Sequence, residues 1–420
     1  MLDIRLLREN PELVKKALAK KNDKTDIDKI LDLDNKRREI IREVEKLKSE
    51  RNQASANIAN KKKAGESAED AITAMRKVGN KITELDNILR ETDEETKNLL
   101  IWLPNIPHES VPVGDESQNE IIKEWGEIKK PDFKILPHWE IGEKLGILDI
   151  ESATKISGSG FYMLKGLGAK LNRALINFML DTHADSGFLE IAAPFLVLED
   201  TMFGTGQLPK LEEDMYKTTE DNMYLIPTAE VSITNKYKKQ IIDYKELPIS
   251  MVGYSPCFRR EAGAAGKDTR GMLRVHQFDK VEMVKIVKPE TSYDELEKLL
   301  SQAEKIIQAM EIPYRVATLA SGDLSFAAAK CYDIEIWSAG VERYLEVSSV
   351  SNFEDFQARR MNCRFRDEEK KVANPHTLNG SGVALPRLLA AIMENHQNED
   401  GTISIPKVLK PYMGGLDKIG

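Results

Sequence analysis

Two long runs in the first third of the chain place apolar or small residues at alternating spacings of three and four. The first run is Ile30, Leu33, Ile40, Val44, Leu47, Ala54 and Ile58, with Arg37 and Arg51 at the two remaining seam positions. The second run is Met75, Val78, Ile82, Leu85, Leu89, Thr92, Thr96 and Leu99. This spacing is typical of the seam of a helical coiled coil.

A turn signal separates the two runs and predicts a hairpin. Residues 61–67 read KKKAGES, and no proline occurs between Pro11 and Pro104. We therefore predict two antiparallel helices of about 35 residues, each roughly 50 Å long at about 1.5 Å per residue. A pair this long and this polar should project into solvent as an arm, and an exposed arm usually holds a partner.

The charges on this arm leave its partner open. Its tip and flanks carry basic residues that would suit RNA phosphates, namely Lys46, Lys48, Arg51, Lys61, Lys62 and Lys63. Acidic residues such as Glu43 and Glu50 are interleaved with them, so a solvated charged face explains the same pattern. Charge alone favours the solvated face, and the seam predicts a hairpin without identifying RNA.

The rest of the chain has a mixed pattern that follows a proline-rich stretch. Residues 101–137 contain five prolines, which indicate a linker. Beyond it we predict helices over Leu171–Ser186, Tyr293–Met310 and Ser381–Asn395, and strands over Arg343–Val350 and over Phe188–Leu198 with a break at Pro194. The predicted division is an arm at 1–105, a linker at 106–137 and an α+β domain at 138–420.

Composition narrows the class of protein. The chain has 420 residues, with 41% hydrophobic and 31% charged, as in a soluble globular protein of two or three domains. No apolar run approaches the ~20 residues that span a bilayer, and the N-terminus does not resemble a secretory signal, so we expect a cytoplasmic protein without a membrane partner. The net charge of −8 neither predicts nor excludes nucleic-acid binding.

The cysteines and histidines do not form a metal-binding pattern. Cys257, Cys331 and Cys363 are far apart, without a CxxC, and the six histidines form no HExxH. We therefore expect no structural zinc and no disulfide framework, but three reduced and mostly buried thiols.

Residues 254–283 hold the densest set of candidate functional residues. Arg259 and Glu261 lie on a strand-like run, a loop with Gly263, Gly266 and Gly271 follows, and a second strand-like run carries Arg274, Phe278 and Glu282. Arginine suits a phosphate because its planar fork donates two hydrogen bonds, and an aromatic ring suits a flat base. No GxxxxGK[ST] run occurs, so this is not a P-loop. As a pattern alone, a solvated hairpin explains the segment equally well.

The stretch from Phe258 to Glu282 resembles motif 2 of the class II aminoacyl-tRNA synthetases, and it is most similar to the seryl-tRNA synthetase family. Other segments resemble the family's motif 1 (Leu171–Pro194), serine-binding loop (Pro227–Glu230), nucleotide and metal segment (Tyr344–Asn352) and motif 3 (Leu378–Arg387). Residues 203–210 and the arm match as well, so the resemblance covers essentially the whole chain. Gly160 departs from it, since the family usually has arginine there.

The resemblance implies an α+β fold. It consists of an N-terminal antiparallel α-helical coiled-coil hairpin that binds tRNA and a class II catalytic domain, an antiparallel β-sheet flanked by helices. The implied enzyme is a homodimer, built on motif 1. Serine attacks the α-phosphate of ATP to give seryl-adenylate and pyrophosphate, and the 3′-terminal ribose of tRNA(Ser) then takes the seryl group. The family also charges tRNA(Sec) where that tRNA exists. Neither step needs a protein nucleophile.

The resemblance also implies residue roles. Arg259 and Arg387 are the implied catalytic residues. The implied serine-binding residues are Thr228, Ala229, Glu230, Arg259, Glu282, Asn379 and Ser381, with Thr228 and Glu230 at the ammonium and Glu282 at the hydroxyl. The implied ATP-binding residues are Arg259, Arg260, Glu261, Arg274, Val275, Phe278, Glu346, Val347, Ser348, Ser349 and Arg387. Glu346 and Ser349 are the implied ligands of Mg²⁺, which prefers hard oxygen donors.

Two alternatives remain at this point. A relative that activates an amino acid for a carrier protein should lack the long arm, and the continuous seam counts against it. A non-catalytic paralogue with an interaction arm should have lost Arg259, Glu346 or Arg387, and all three are present.

Overall fold

The computed structural model describes residues 1–262 and 270–420. They form two compact units, Met1–Pro104 and Asn105–Gly420. Gly263 and Gly266 of the predicted glycine-rich loop lie outside the described residues. No helix in the described ranges is both long and apolar enough to cross a membrane.

The first unit is helical and contains the predicted hairpin. Its helices are α1 (Ile4–Glu9), α2 (Pro11–Lys20), α3 (Ile27–Lys63) and α4 (Glu69–Leu100). Helix α3 begins where the side chain of Asp26 accepts hydrogen bonds from the backbone N–H groups of Asp28 and Lys29. Gly65, at a φ of 75°, follows its end and lets the chain turn toward α4.

Helices α3 and α4 pack along the predicted seam. Every predicted seam position is buried or half-buried. The packed centre is formed by Ile40 and Val44 of α3 with Ile82 and Leu85 of α4. Arg37, at a seam position, reaches Asp93 of α4 at 2.5 Å. The predicted antiparallel hairpin is confirmed.

One buried carboxylate in this unit is not predicted by the seam spacing. Asp34 is 1% exposed although it lies outside the predicted seam. Arg8 of α1 forms an ion pair with it at 2.9 Å. The short N-terminal helix therefore covers a second face of α3, which a two-helix pattern does not predict.

The second unit alternates helices and strands. Its helices are α5 (His138–Lys144), α6 (Ile150–Ser157), α7 (Leu167–Asp185), α8 (Glu199–Thr205), α9 (Ala229–Thr234), α10 (Ser292–Ala309), α11 (Phe356–Arg360) and α12 (Leu385–Asn395). Its strands are β1 (Glu120–Trp125), β2 (Leu189–Glu190), β3 (Leu196–Leu198), β4 (Met223–Leu225), β5 (Ile241–Asp243), β6 (Ile249–Phe258), β7 (Gln277–Val287), β8 (Tyr314–Thr318), β9 (Lys330–Ser338), β10 (Arg343–Asn352), β11 (Arg364–Arg366), β12 (Val372–Ala373), β13 (His376–Ala384), β14 (Ile403–Ser404) and β15 (Lys418–Ile419).

An eight-stranded sheet organises this unit. Its strand order is β1-β8-β9-β10-β13-β7-β6-β2, and all neighbours pair antiparallel except β2 and β6. Side chains alternate between its two faces. On β7, Met283 belongs to the large core with α7, α10 and α12, whereas Val284 packs with α9 and α11. Glu282 therefore shares the face of Val284, and an α+β fold with a helix-flanked antiparallel sheet is confirmed.

Most predicted elements of this unit are present with shifted ends. The helix predicted over Leu171–Ser186 begins four residues earlier as α7, and the one predicted over Tyr293–Met310 is α10. The break at Pro194 separates β2 from β3. Residues 106–137, predicted as a linker, contain β1, which pairs with β8 at the sheet edge. Strand β1 is only six residues long and lies in a proline-rich segment, so its sequence pattern resembles that of a loop.

The predicted strands of residues 254–283 are too long. Strand β6 ends at Phe258 and β7 begins at Gln277, so Arg259, Glu261 and Arg274 lie between the strands. The pairing extends one further step, because the N–H of Arg259 donates to the carbonyl of His276 at 2.9 Å. Glu261 then takes a φ of 53°, which ends the extended conformation.

Candidate active site

A cavity of about 1010 Å³ lies in the second unit, against the sheet. Most of the predicted site residues line it, namely Thr228, Glu230, Arg259, Glu261, Arg274, Val275, Phe278, Glu346, Val347, Ser348, Ser349, Asn379, Ser381 and Arg387. They come from α9 and the loop before it, the segment joining β6 to β7, strands β7, β10 and β13, and α12. The sheet thus gathers side chains that are more than 150 residues apart in sequence, as Thr228 and Arg387 are.

Two buried carboxylates lie at one end of the cavity, Glu230 in its lining and Glu282 directly behind it. Glu230 is 4% exposed and Glu282 is fully buried. Thr228 caps α9, with its hydroxyl accepting from the N–H of Glu230, and it donates to Glu282 Oε2 at 3.2 Å. Ser381, the register partner of Glu282 on β13, donates to the same oxygen at 3.4 Å. We call this group the carboxylate end of the cavity.

Glu230 is poised between its two protonation states. Its Oε1 accepts a hydrogen bond of 2.7 Å from Nε2 of Gln357, a neutral donor on α11. Burial, and secondly the charge of Glu282, raise the pKa of Glu230 to about 7. A ligand that brings a positive charge to this carboxylate would favour its ionised form.

Two acceptor oxygens at this end are left for a ligand. Glu282 Oε1 and Asn379 Oδ1 are buried and have no hydrogen-bond partner among the residues that the structure describes. Unpaired buried acceptors are rare in native proteins and commonly mark a site that a ligand completes. Asn379 lines the cavity and Glu282 lies directly behind its lining, so both oxygens are candidate acceptors for a small polar ligand.

The other end of the cavity carries arginines and an aromatic ring. The Arg259 guanidinium lies 5.2 Å from the centroid of the Phe278 ring. Arg274 forms an ion pair with Glu261. Planar cations beside an aromatic platform are what a nucleotide requires, since the ring can stack on a base while the arginines bind phosphates. We call this group the arginine end.

Strand β10 and helix α12 complete the arginine end. Arg387 donates from Nη1 to the backbone carbonyl of Glu346 at 2.5 Å and from Nε to that of Leu273 at 3.1 Å. The Ser349 hydroxyl lies 3.3 Å from Glu346 Oε1. In the described ranges, no group of three or more His, Cys, Asp or Glu side chains could hold a metal ion.

Three predicted residues do not line the cavity. Glu282 lies directly behind Thr228 and Ser381, Ala229 is buried in α9, and Arg260 is exposed. The basic residues predicted to contact tRNA are exposed on the first unit, except Arg51, which is half-buried at its seam position. All three cysteines are buried, as predicted.

Several residues that line the cavity were not predicted from the sequence. Lys280 is 5% exposed and forms an ion pair of 2.5 Å with Glu282. Asp333 of β9 also lines the cavity, and burial together with the charge of Glu346 raises its pKa well above its ordinary value. Period-two alternation on β7 could have found Lys280, because it lies between Phe278 and Glu282 on one face. Nothing local in the sequence pairs Asp333 with Glu346.

The departure at Gly160 has a structural reason. Its φ is 79°, and a Cβ there would lie 2.5 Å from Cδ2 of His276. The carbonyl of Gly160 accepts from the N–H of His276 at 2.8 Å, and Nδ1 of His276 lies 3.1 Å from the carbonyl of Arg259. Glycine at this position therefore allows the His276 ring to lie against the backbone of Arg259.

Comparison with known proteins places this architecture in a class. Residues 211–396 match the family model described as the tRNA synthetase class II core domain (G, H, P, S and T). Residues 1–107 match that of the seryl-tRNA synthetase N-terminal domain. A Giardia lamblia prolyl-tRNA synthetase shares the fold at a TM-score of 0.57 and 17% identity over 66% of this chain and 58% of its own. The sheet, the cavity and these matches define a class II aminoacyl-tRNA synthetase.

Full-length relatives identify the family within that class. A serine–tRNA ligase of Thermodesulfovibrio yellowstonii is 52% identical over 99% of both chains, and one of Caldicellulosiruptor bescii is 54% identical over 99% of both. The crystal structure of seryl-tRNA synthetase from Pyrococcus horikoshii complexed with ATP matches with a TM-score of 0.95 and 42% identity, over 100% of this chain and 99% of its own. This chain belongs to the seryl-tRNA synthetase family.

Proposed function

We propose that the cavity of the second unit is the active site in which this chain, a serine–tRNA ligase, activates serine with ATP and transfers it to tRNA(Ser). The observation that carries the assignment is a cavity lined by the Arg259–Phe278 pair and by buried Glu230, with buried Glu282 directly behind its lining. Serine has an ammonium and a hydroxyl for the carboxylates, and ATP has phosphates and a base for the arginine end.

Serine occupies the carboxylate end in this proposal. Its ammonium binds Glu230 and the Thr228 hydroxyl, and its hydroxyl donates to Glu282 Oε1, the acceptor without a partner in the described chain. Asn379 and Ser381 close the pocket on the side of β13. Alanine would leave the Glu282 oxygen unpaired, and a buried acceptor without a partner rejects such an analogue strongly.

ATP occupies the arginine end. Phe278 stacks on the adenine, and Glu261, whose ion pair with Arg274 is replaced when the arginine binds phosphate, accepts from the adenine amino group. Arg259 bridges the serine carboxylate and the α-phosphate, where negative charge develops in the transition state. Arg387 and Arg274 bind the outer phosphates. Catalysis then consists of positioning and charge stabilisation, and it requires no protein nucleophile.

Glu346 and Ser349 are the residues that would hold Mg²⁺. Their side-chain oxygens lie 3.3 Å apart, and the Glu346 side chain is 50% exposed to the cavity and solvent. Two hard oxygen donors fit an ion that keeps several waters and binds substrate phosphates for the rest of its shell. Bound there, magnesium would neutralise phosphate charge.

We propose that the arm of residues 1–105, which corresponds to the first unit, contacts tRNA. Lys61, Lys62 and Lys63 are exposed at the end of α3, next to the turn of the hairpin. Replacing all three by alanine should weaken tRNA charging several-fold and more so at higher salt, because phosphate contacts depend on salt. Serine-dependent ATP–pyrophosphate exchange should be unchanged, and Lys97→Ala in α4 serves as the matched control. Loss of exchange would contradict a separate tRNA role for the hairpin.

We also propose a homodimer built on the motif 1 segment. Several apolar side chains of this segment and of β3 are exposed, namely Leu189 (57%), Phe195 (38%), Leu196 (43%) and Leu198 (57%). Exposed apolar side chains this close together favour a protein interface. Sedimentation equilibrium should give twice the chain mass of 47.4 kDa. A monomer at micromolar concentration would contradict the proposal.

The deciding experiment is ATP–pyrophosphate exchange with each of the twenty amino acids, without tRNA. Exchange with serine alone supports the proposed site, and charging of tRNA(Ser) and tRNA(Sec) transcripts follows. Exchange with alanine or glycine instead would contradict the role of Glu282. No exchange from a folded dimer would favour a non-catalytic paralogue.

A further inference from the structure

Lys280 is a buried cation that the proposed reaction does not use. It lies on β7 between Phe278 and Glu282, and its side chain lines the cavity. Only 5% of the residue is exposed, and its Nζ lies 2.5 Å from Glu282 Oε2. Buried ion pairs contribute little to stability relative to apolar residues of the same volume, so a pair in a ligand cavity calls for another explanation.

The contacts of Glu282 are distributed unequally over its two oxygens. Oε2 receives three donors, which are Nζ of Lys280, Oγ1 of Thr228 and Oγ of Ser381. Oε1 is equally buried, yet it has no partner among residues 1–262 and 270–420. The carboxylate is therefore held by one oxygen while the other remains available as an acceptor.

We propose that Lys280 is a specificity-determining positioning residue, which holds Glu282 as an anion through Oε2 and presents Oε1 to the hydroxyl of the amino acid substrate. This inference rests on the proposed function, since it assumes that serine binds at Glu282. A charged acceptor loses more than a neutral one when its partner is missing. Lys280 thereby increases the preference for serine over alanine without touching the hydroxyl itself.

The charges that face Glu282 indicate how the site responds to the loss of Lys280. Glu230 faces it from α9, Arg259 from the end of β6, and the Cys257 thiol from within β6. The charge of Glu282 raises the pKa of Glu230, whereas the charges of Lys280 and Arg259 lower it. Without the charge of Lys280, the pKa of Glu230 should rise further.

The test compares Lys280→Met with Lys285→Met by steady-state ATP–pyrophosphate exchange. Lys285 is the matched control, because it lies on the same strand in another buried ion pair, with Glu295, and does not line the cavity. K280M should raise the KM for serine about tenfold, lower the serine-over-alanine ratio of kcat/KM about tenfold, and leave the KM for ATP unchanged. The pH midpoint of kcat/KM for serine should move upward, and Lys280→Arg should restore it.

A double-mutant cycle with Glu282→Gln separates loss of the ion pair from a partial folding defect, because the serine-over-alanine ratio does not depend on the fraction of folded enzyme. In the E282Q background the anion is absent, so K280M should have no further effect on the serine-over-alanine ratio. If K280M lowers that ratio equally in both backgrounds, or changes the KM values of serine and ATP alike, Lys280 has only a structural role. Failure of wild-type protein to exchange with serine would contradict the proposed function instead.

Discussion

The two ends of the cavity differ in how their side chains are held. At the carboxylate end, Thr228, Glu230, Glu282 and Ser381 are at most 8% exposed and are connected by hydrogen bonds to protein groups. At the arginine end, the side chains of Arg274 and Arg387 are 26% and 25% exposed, and that of Glu346 is 50% exposed. In the proposed complex, serine, which must be distinguished from close analogues, meets the buried end, and ATP, a larger charged ligand, meets the open end.

The difference shows what burial can and cannot provide. Polar groups removed from water interact more strongly, and leaving one of them unpaired costs more, which gives selectivity. The partly exposed Glu261–Arg274 and Glu346–Arg387 contacts are weaker and exchange readily, so the phosphates of ATP can replace them. Discrimination between serine and its close analogues should therefore depend on the carboxylate end, and the arginine end should contribute positive charge for the phosphates of ATP.

The largest expected effect comes from Arg259, the residue that connects the two ends. It stacks on Phe278 and, in the proposed complex, contacts both the serine carboxylate and the α-phosphate. Arg259→Ala should lower kcat for exchange by roughly 10³-fold, because charge that develops in the transition state loses its main partner. Arg366→Ala, an exposed arginine on β11, is the control. A change confined to the KM of one substrate would show that Arg259 contacts only that substrate and would contradict its role at both ends.

Glu282→Ala should weaken the binding of serine without affecting the binding of ATP. The hydroxyl of serine loses its charged acceptor, so the KM for serine should rise by roughly 10²-fold while the KM for ATP stays within a factor of two. Titration of each substrate at saturating levels of the other measures both values. An unchanged KM for serine would contradict the assignment of the carboxylate end.

The sequence predicted the residues of this cavity better than their arrangement. The seam spacing predicted the hairpin because a two-helix interface depends on local periodicity alone. Phe278 and Glu282 share a face through period-two alternation, and this was predictable too. The pairing of β10 with β13 and β13 with β7 was not, since it depends on contacts between distant segments. That pairing places Ser381 opposite Glu282.

Long-range contacts also explain what the sequence did not predict. Gln357 of α11 reaches Glu230 across 127 positions, and no spacing rule relates them. Arg274 lies before β7, which begins only at Gln277, although its sequence pattern resembles a strand. The assignment of roles to individual residues came from family resemblance, and those roles stay predictions until the variants are measured.

The KM for serine should depend on pH, because burial at the carboxylate end raises the pKa of Glu230. The pKa of Glu230 is raised to about 7, so free enzyme holds a proton there at pH 6, and the serine ammonium must displace it. The KM for serine should fall up to about tenfold per unit as pH rises toward about 7 and then level off. For the same reason, the contribution of Glu230 to the unfolding free energy of the free enzyme should decline between about pH 4.5 and 7. Glu230→Gln should abolish this pH dependence, and a serine KM that rises with pH over this range would contradict it.

The smallest expected effect is a difference in salt sensitivity between the two ends. Counter-ions reach the partly exposed arginines, whereas they do not reach a carboxylate that is fully buried. Raising potassium chloride from about 0.05 to about 0.5 M should increase the KM for ATP two- to threefold and change the KM for serine by less. Glu261→Gln, which removes the competing partner of Arg274, should increase this sensitivity, because salt then weakens the arginine–phosphate contact without also weakening a competing ion pair. Equal salt dependence of the two KM values would show that the ends share one electrostatic environment and would contradict the distinction between a buried end and an open one.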